Sequence, residues 1–318
     1  MAGAGGAEDV QRGLGRASSI EQVSPDHPDD ARAQALAAAL LPILRRAREA
    51  ACAGPRPADG GAPWPVGAIH DAVQQPQGLA AAARRGAQGI LPAVIALEEL
   101  HGAITPWDGL LHRRCAQRLL AAAREEHSPS GAGGAARGSE GAGAPHRAGA
   151  PEVSVVRRSG WELIRTRSTV HVLGGTWLVR HELARRLDAV EHAAAAATAA
   201  PGCPRREGAR RTALQLTLSR QDLRAWAHSS GDGNALHLRS GAAAQAGLAV
   251  GASAVIAHGL LIGALSLALV PRGGAAAPDD LLRFPAPVEV PRTGTAPLRL
   301  DPDGSCMNDE NKLVLLRD

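Results

Sequence analysis

An apolar run in the last third of the chain constrains the fold more than any other feature of the sequence. Residues 259–270, G-L-L-I-G-A-L-S-L-A-L-V, have no polar face when wound into an α-helix, and such a helix must be buried on every side. The run is shorter than the roughly 18–20 residues that a membrane span needs, and Pro271 follows it. We therefore expect the rest of the protein to enclose a helix that begins at Gly259.

The segments around this helix are rich in strand-forming residues, which favours a sheet as its cover. Gly174 and Gly175 separate two of these segments and predict a two-residue hairpin turn. In these two segments Arg and Thr alternate with Val, Leu and Ile, so one face of the sheet should be buried and the other wet. One buried helix wrapped by an antiparallel sheet is an α+β fold. Strands are predicted at residues 152–156, 161–173, 176–183, 213–218, 282–290, 296–300 and 312–316.

Helical patterns fill much of the first half of the chain. Residues 29–51 place acids first and arginines late, as the dipole of a helix prefers, although Pro42 predicts a kink or a break. Residues 77–126 are rich in Ala, Leu and Arg and mostly helical by their period. In the second half, Ser219 and Asp222 form a capping-box pattern that predicts the start of another helix.

Composition excludes several classes of function. The chain has 318 residues, 45% of them hydrophobic, and a formal charge of only +4, because 31 acids balance most of the 35 Lys and Arg residues. With five Trp, one Phe and no Tyr, it lacks a basic surface interleaved with stacking aromatics, so no nucleic-acid partner is expected. The absence of a C-x-x-C motif fits a reducing compartment without metal or disulfide frameworks. The cysteines are Cys52, Cys115, Cys203 and Cys306.

Two segments are expected to lie outside the packed core. Residues 1–28 read as a flexible N-terminus without the apolar stretch of a secretory signal. Residues 128–151 are of low complexity and predicted to be disordered. No membrane span is expected, and the C-terminal L-L-R-D is not a peroxisomal signal. We expect a soluble intracellular protein and leave open whether it resides in the cytoplasm or in an organelle matrix.

The octet S-G-D-G-N-A-L-H at residues 230–237 is the strongest candidate for chemistry. Gly, Asp and Asn are ordinary turn residues, so on composition alone a surface turn is the simpler interpretation. Two further motifs change that interpretation. The first is A-H-G at 257–259, at the start of the buried helix, and the second is R-F-P-A-P-V at 283–288.

Together these motifs resemble the MaoC-like branch of the hot-dog fold, the (R)-specific enoyl-CoA hydratases and 3-hydroxyacyl thioester dehydratases. The hydratase motif of that family is approximately G-D-x-N-P-x-H. Gly231, Asp232, Asn234 and His237 match it in place, whereas Ala235 stands where the family usually has Pro. Without the proline, the loop should be less rigid but still able to adopt the same geometry.

The resemblance implies a double hot-dog, in which two repeats each wrap an antiparallel sheet around a central helix. A catalytic MaoC-like hot-dog domain is expected at residues 201–318. A degenerate N-terminal hot-dog repeat is expected at residues 29–200, because the segments 65–70 and 161–183 resemble parts of such a repeat. Residues 77–151 have no counterpart in the family, and we read them as an insertion or as an error in the predicted gene.

The resemblance also implies a reaction. Adding water to an enoyl thioester needs a base for the water, an acid for the α-carbon and a donor for the thioester oxygen. Asp232 and His237 would supply the base and the acid from one pocket. The backbone N–H of Gly259, at the positive end of the buried helix, would hold the oxygen. Four further residues are expected to shape the loop or bind substrate: Gly231, Gly233, Asn234 and His258.

An acyl-CoA or an acyl-carrier-protein thioester of fatty-acid metabolism is the expected substrate and partner. We expect no metal and no bound cofactor, and the family pattern is compatible with a homodimer. Two alternatives stay open. One is a hot-dog acyl thioesterase, although residues 259–270 lack the carboxylate that many such enzymes carry on the central helix. The other is a catalytically weak acyl-thioester-binding protein, because the first repeat looks eroded.

Overall fold

The computed structural model describes five stretches of the chain, residues 28–53, 76–122, 149–187, 213–270 and 279–318. The predicted flexible N-terminus, nearly all of the low-complexity segment, the segment 65–70 and the boundary near residue 200 lie outside these stretches. The division into repeats at 29–200 and 201–318 therefore stays a prediction.

Groups of helices and groups of strands follow one another along the described residues. The helices are α1 Pro28–Ala53, α2 Pro76–Glu99, α3 Arg220–Ser230, α4 Ala235–Leu238, α5 Ala242–Gln245 and α6 Gly259–Leu269. The strands are β1 Leu111–Ala122, β2 Glu152–Arg158, β3 Trp161–Val172, β4 Gly175–Arg186, β5 Leu214–Leu218, β6 Val255–Ile256, β7 Asp279–Arg283, β8 Glu289–Val290, β9 Ala296–Leu300, β10 Cys306–Asn308 and β11 Leu313–Arg317.

One nine-stranded sheet runs through both halves of the chain in the order β2-β3-β4-β1-β7-β11-β10-β9-β5. All of its neighbouring strands are antiparallel. The first four strands in this order come from the first half of the chain and the other five from the second. The two halves join where β1 pairs with β7, with Cys115 opposite Leu282. The strands β6 and β8 form a separate pair.

The apolar helix α6 is enclosed as the sequence predicts. Every residue from Leu260 to Leu269 is buried. The helix packs against α2 on one side and β11 on another, while α2 also packs on β1, β3 and β4. Each half of the chain thus sets one helix against its own part of an antiparallel sheet. This α+β arrangement is the predicted double hot-dog.

The two helices approach closely at Gly86 of α2. A Cβ atom on Gly86 would lie 2.5 Å from the carbonyl oxygen of Ala264 and 2.8 Å from the Cβ of Ala268, closer than side chains tolerate. A glycine is therefore required for the spacing between α2 and α6. The guanidinium of the adjacent Arg85 donates to the Ala268 carbonyl at 3.1 Å, which satisfies one of the free acceptors at the end of α6.

Residues 77–126 are helical only in part. The prediction holds for α2 and is wrong for β1, whose sequence L-H-R-R-C-A-Q-R-L-L-A-A is rich in good helix formers. This segment is extended because β4 pairs with one of its edges and β7 with the other, and such pairing overrides local propensity. Since α2 lies in the core and β1 in the middle of the sheet, the described residues between 77 and 122 are an integral part of the fold.

The β3–β4 hairpin turns one residue earlier than predicted. Val172 pairs with Gly175, so the two turn residues are Leu173 and Gly174, with φ of 52° and 68°. Positive φ at both central positions is what the right-handed twist of a hairpin favours. Here Leu173 adopts this conformation at the first turn position. The pair of glycines in the sequence had predicted Gly174 and Gly175 as the turn residues instead.

The strand predicted near 282–290 is interrupted. β7 ends at Arg283 and β8 begins only at Glu289, because Pro285 and Pro287 cannot donate to a strand ladder. The short strand β10, Cys306–Asn308, was not predicted, since three residues are too few to show an alternating pattern.

Two other helices, α1 and α3, can be compared with the features predicted for them from the sequence. α1 continues through Pro42 without the predicted break. The capping box of α3 is confirmed, because the Ser219 N–H donates to Asp222 Oδ2 at 2.7 Å and Ser219 Oγ accepts from the Asp222 N–H at 3.3 Å.

Among the described helices, none combines the length and the hydropathy that a membrane crossing requires.

Replacing Gly86 by Ala should destabilise the protein, because the new methyl group would collide with the backbone of α6. Overpacking of this kind typically costs about 1–3 kcal/mol. Gly89→Ala, in the same helix, is the matched control, because its methyl group would meet only the end of the Leu267 side chain, at 3.3 Å. Urea unfolding should give a clearly lower free energy of unfolding for Gly86→Ala. Equal values for the two variants would contradict the close approach.

Candidate active site

The loop between α3 and α4 is shaped by the ends of these two helices. Gly231 ends α3 in the left-handed conformation, with φ of 74°, and its N–H donates to the Ala227 carbonyl at 2.9 Å, as in a glycine cap. Asn234 caps α4, with Oδ1 accepting from the Leu236 N–H at 3.1 Å. The loop therefore places Asp232 just before α4.

Gly233 has a smaller part in this bend than the sequence predicts. Its φ lies outside the left-handed region, and a Cβ atom there would meet nothing within 4 Å. The backbone takes the left-handed conformation at Gly231 instead, where α3 ends.

Both carboxylate oxygens of Asp232 have neighbours. Oδ1 accepts from Trp107 Nε1 at 3.2 Å and from the Asn234 N–H at 3.3 Å. Oδ2 lies 3.8 Å from Nε2 of His237, which is too long for a direct hydrogen bond. A gap of this size lets one water contact both atoms, because a water bonds to each at about 2.8 Å.

The ring of His237 is fixed by two contacts. Its Nδ1 lies 2.9 Å from the carbonyl oxygen of Ile256, so Nδ1 carries the proton and Nε2 keeps its lone pair. The ring stacks on His258 with centroids 3.8 Å apart. Nε2 of His258 in turn lies 3.3 Å from the carbonyl oxygen of Asp232, an arrangement that fits the loop-shaping role expected for His258.

The surroundings favour an ionised Asp232 beside a neutral His237. Burial raises the pKa of Asp232, but the neighbouring imidazoles of His237 and His258 and the hydrogen bonds from Trp107 and Asn234 together hold it below its ordinary value. Burial lowers the pKa of His237, and the opposing effects of Asp232 and of the backbone hydrogen bond do not restore it. At neutral pH the pair therefore presents two hydrogen-bond acceptors to the same gap.

A pocket of about 350 Å³ opens beside His237 and Gly259. Gly259 begins α6, so its N–H has no partner within the helix and lies at the positive end of the helix dipole. The Phe284 ring packs directly on it, since a Cβ atom on Gly259 would come within 3.1 Å of the ring. Both halves of the chain line the pocket, among them Leu111, His112 and Trp161 from the first and Ile262, Phe284 and Val288 from the second.

Asp232 lies behind His237 and does not line this pocket, although the sequence predicts that both side chains point into it. Its carboxylate borders a separate void of about 10 Å³, next to Glu98, His101 and Trp226. The physical reason is the hydrogen bond from Trp107, which holds Oδ1 toward the first half of the chain and leaves Oδ2 facing His237.

Four consecutive residues of the first half contact the loop, and none of them was predicted from the sequence to belong to the site. They belong to the segment T-P-W-D-G-L at 105–110, whose Pro, Asp and Gly are typical of a turn. This turn signal was the available clue, but it lies in the stretch without a counterpart in the family. The four residues are Trp107, Asp108, Gly109 and Leu110.

A second group of possible metal ligands begins at the wall of the pocket. His112 lines the pocket, and its Nε2 lies 3.0 Å from Nδ1 of His181. With Cys115 these residues place three possible metal-ligand atoms within 4.8 Å of one another. The side chains of Asp232, His237 and His258 do the same. The expectation that the protein binds no metal remains a prediction.

Burial should make the protein sensitive to acid. Burial lowers the pKa of His112 to about 4 and that of His258 to about 3, from an ordinary 6.5. Below about pH 6.5 the unfolded chain binds protons that the folded chain does not, so the free energy of unfolding should fall as the pH drops toward 4. Urea unfolding at a series of pH values measures this slope.

His258→Gln should make that slope shallower, whereas His228→Gln, at an exposed position of α3, should leave it unchanged. A free energy of unfolding that stays constant between pH 7 and pH 5 would contradict neutral burial of these imidazoles.

The second half of the chain matches a known family. The family model of the MaoC like domain covers residues 204–301, whereas no curated protein sequence matches the chain. Among solved structures, the chain is similar to HtdX of Mycobacterium tuberculosis, at 16% identity and a TM-score of 0.41, over 87% of this chain and 93% of that one. A MaoC-like dehydratase shares 16% identity at a TM-score of 0.47, over 90% of this chain and 91% of that one.

The full-length peroxisomal multifunctional enzyme type 2 of Drosophila melanogaster shares 17% identity at a TM-score of 0.44, over 90% of this chain and 45% of that one. Because all three TM-scores lie below 0.5, the assignment depends on the family match together with the topology of this chain. The matched segment contains the loop with Asp232 and His237 as well as the start of α6. Residues 204–301 of this chain are therefore similar to the MaoC like domain.

Proposed function

We propose that the protein is a hydro-lyase that interconverts trans-2-enoyl and (3R)-3-hydroxyacyl thioesters. One observation carries the proposal: Oδ2 of Asp232 and Nε2 of His237 lie 3.8 Å apart beside a pocket that is lined by Gly259 at the start of a buried helix. The similarity to the MaoC like domain supports the hydro-lyase class, and the resemblance of the motifs to (R)-specific hydratases supports the substrate and the configuration of the product.

In the hydration direction, Asp232 and His237 bind and activate one water. Both Oδ2 and Nε2 accept hydrogen bonds, so the water donates its two hydrogens to them and turns a lone pair toward the β-carbon of the substrate. The new O–C bond forms as one of the two bases removes a proton from the water. The base that has taken up this proton then gives a proton to the α-carbon. OH and H have thus been added across the double bond, and both side chains are back in their starting protonation states.

Gly259 stabilises the negative charge that builds up on the thioester oxygen. Its N–H is free of the helix ladder and lies at the positive end of α6. The Phe284 ring covers this position, and a dry environment strengthens such a hydrogen bond. Loss of one donor of this kind typically slows a reaction by about 10²–10³-fold.

The size of the pocket fits an acyl thioester rather than a whole coenzyme. About 350 Å³ lies near the lower end of the roughly 300–1,000 Å³ typical of small-molecule sites. The acyl chain and the thioester would occupy it, and the CoA or carrier arm would extend outside. The apolar side chains of Leu111, Ile262, Phe284 and Val288 in its wall suit a hydrocarbon chain.

A hydration assay with a chain-length series tests this proposal. Crotonyl-CoA and longer trans-2-enoyl-CoAs should lose their enoyl absorbance reversibly when the protein is added. Asp232→Asn and His237→Gln should each lower kcat/KM by on the order of 10²–10⁴-fold, the usual contribution of acid–base groups. His228→Gln is the matched control, because this exposed histidine lies outside the loop, and it should keep full activity.

Three outcomes would contradict the proposal. Full activity in both loop variants would refute the roles of Asp232 and His237. Release of free CoA without a reversible change in absorbance would indicate a thioesterase, although α6 contains no carboxylate. Saturable binding of acyl-CoA without turnover would indicate an acyl-thioester-binding protein.

A further inference from the structure

We infer that residues 106–110, here named the clamp turn, position the loop 231–237 for catalysis, with Asp108 holding the backbone amide of Ala235 and Trp107 orienting Asp232. The inference rests on the proposed function and adds two positioning residues from the other half of the chain. Neither residue lines the pocket, so they act through the loop rather than on substrate.

The clamp turn contacts the loop on both sides of Asn234. Before it, Trp107 Nε1 donates to Asp232 Oδ1 at 3.2 Å. After it, Asp108 Oδ1 accepts from the Ala235 N–H at 2.9 Å. The two bonds therefore span the end of the loop from which α4 and His237 continue.

Asn234 itself is fastened to the clamp turn through its amide. Oδ1 accepts from the Gly109 N–H at 3.3 Å and from the Leu236 N–H at 3.1 Å, and Nδ2 donates to the Leu110 carbonyl at 2.8 Å. The residue is only 2% exposed, so these bonds replace hydration that Asn234 lost on folding. The first half of the chain thus satisfies a buried amide of the second.

Asp108 compensates for the residue type at position 235. Ala235 is the first residue of α4, and Asn234 before it has φ of −55° and ψ of 127°. The ψ of Asn234 is one that the residue before a proline adopts, and the first helical position is where proline is best tolerated. The backbone is therefore compatible with a proline at position 235, yet the alanine has an N–H that needs an acceptor and a φ that no ring restrains. One hydrogen bond to Asp108 supplies both an acceptor and a restraint.

Trp107 is held firmly enough to orient a carboxylate. Its ring meets that of His101 edge-on, with centroids 4.0 Å apart, and its Nε1 donates to Asp232 Oδ1. The other ionisable groups around Asp232 are His237 and His258 of the second half, His112 of β1, and Glu98 and His101 at the end of α2. Trp107 Nε1 and the Asn234 N–H both donate to Oδ1 of Asp232, so Oδ2 is the oxygen that faces His237.

A double-mutant cycle tests the role of Asp108. Asp108→Ala should lower kcat by on the order of tenfold with little change in KM, because a small displacement of reacting groups costs rate. Asp108→Asn, which keeps an acceptor oxygen, should retain most of the activity. In an Ala235→Pro background there is no N–H to hold, so Asp108→Ala should change kcat by less than about twofold. Glu49→Ala, at an exposed position of α1, controls for the loss of one charge.

The cycle has clear contrary outcomes. An equal loss of kcat from Asp108→Ala in both backgrounds, or no loss in either, would overturn the inference. If Ala235→Pro does not fold, amide hydrogen exchange of residues 231–238 decides instead. Loss of Asp108 should then speed exchange of the Ala235 amide, and unchanged protection would overturn the inference. Because exchange needs no substrate, it tests the clamp turn even if the wild-type protein hydrates no enoyl thioester, an outcome that refutes the proposed function alone.

The pH profile tests the role of Trp107. Activity requires an ionised Asp232 and is lost as the pH falls through its pKa. Trp107→Phe removes a donor to that carboxylate, so the pKa of Asp232 should rise and the acid limb of kcat/KM should move to higher pH. Trp177→Phe, at a half-buried position of β4, is the control and should leave the limb in place. An unshifted limb in Trp107→Phe would overturn the orienting role.

Discussion

The contact between α2 and α6 at Gly86 is the constraint on which the rest of the structure depends. Because α6 has no polar face, a sheet on one side with water on the other would leave apolar surface exposed. α2 supplies the second wall, and the missing side chain at Gly86 brings the two backbones close enough to leave no void. Once α6 is fixed in this way, its first N–H at Gly259 is fixed beside the pocket as well.

The same helix that encloses α6 also leads into the clamp turn. α2 ends at Glu99, and within a few residues the chain reaches Trp107 and Asp108, which bond to the loop of the other half. Packing of the core and geometry of the loop are therefore coupled through one continuous segment. Through these bonds the first half of the chain contacts the loop that contains Asp232 and leads to His237.

Patterns that are local in sequence predicted their structures well, and contacts distant in sequence stayed hidden. Neighbouring residues were enough to predict three features: the burial of α6, the capping box at Ser219 and the proximity of Asp232 and His237. The extended state of β1 does not, because strands far away in sequence impose it on a helix-forming composition. The bonds from Trp107 and Asp108 join residues 125 and 127 positions apart, and nothing within either segment marks the other as its partner.

Part of the pocket wall comes from the first half of the chain, whereas the proposed reacting groups all belong to the second half. Leu111 on β1 and Trp161 on β3 line the pocket, while Asp232, His237 and Gly259 belong to the second half. Under the proposed function, the preferred acyl chain can thus diverge by substitutions on first-half strands while the reaction is preserved. That freedom ends at the start of β1, since Leu110, which bonds to Asn234, directly precedes Leu111. At this junction the wall of the pocket directly adjoins the backbone carbonyl that supports Asn234.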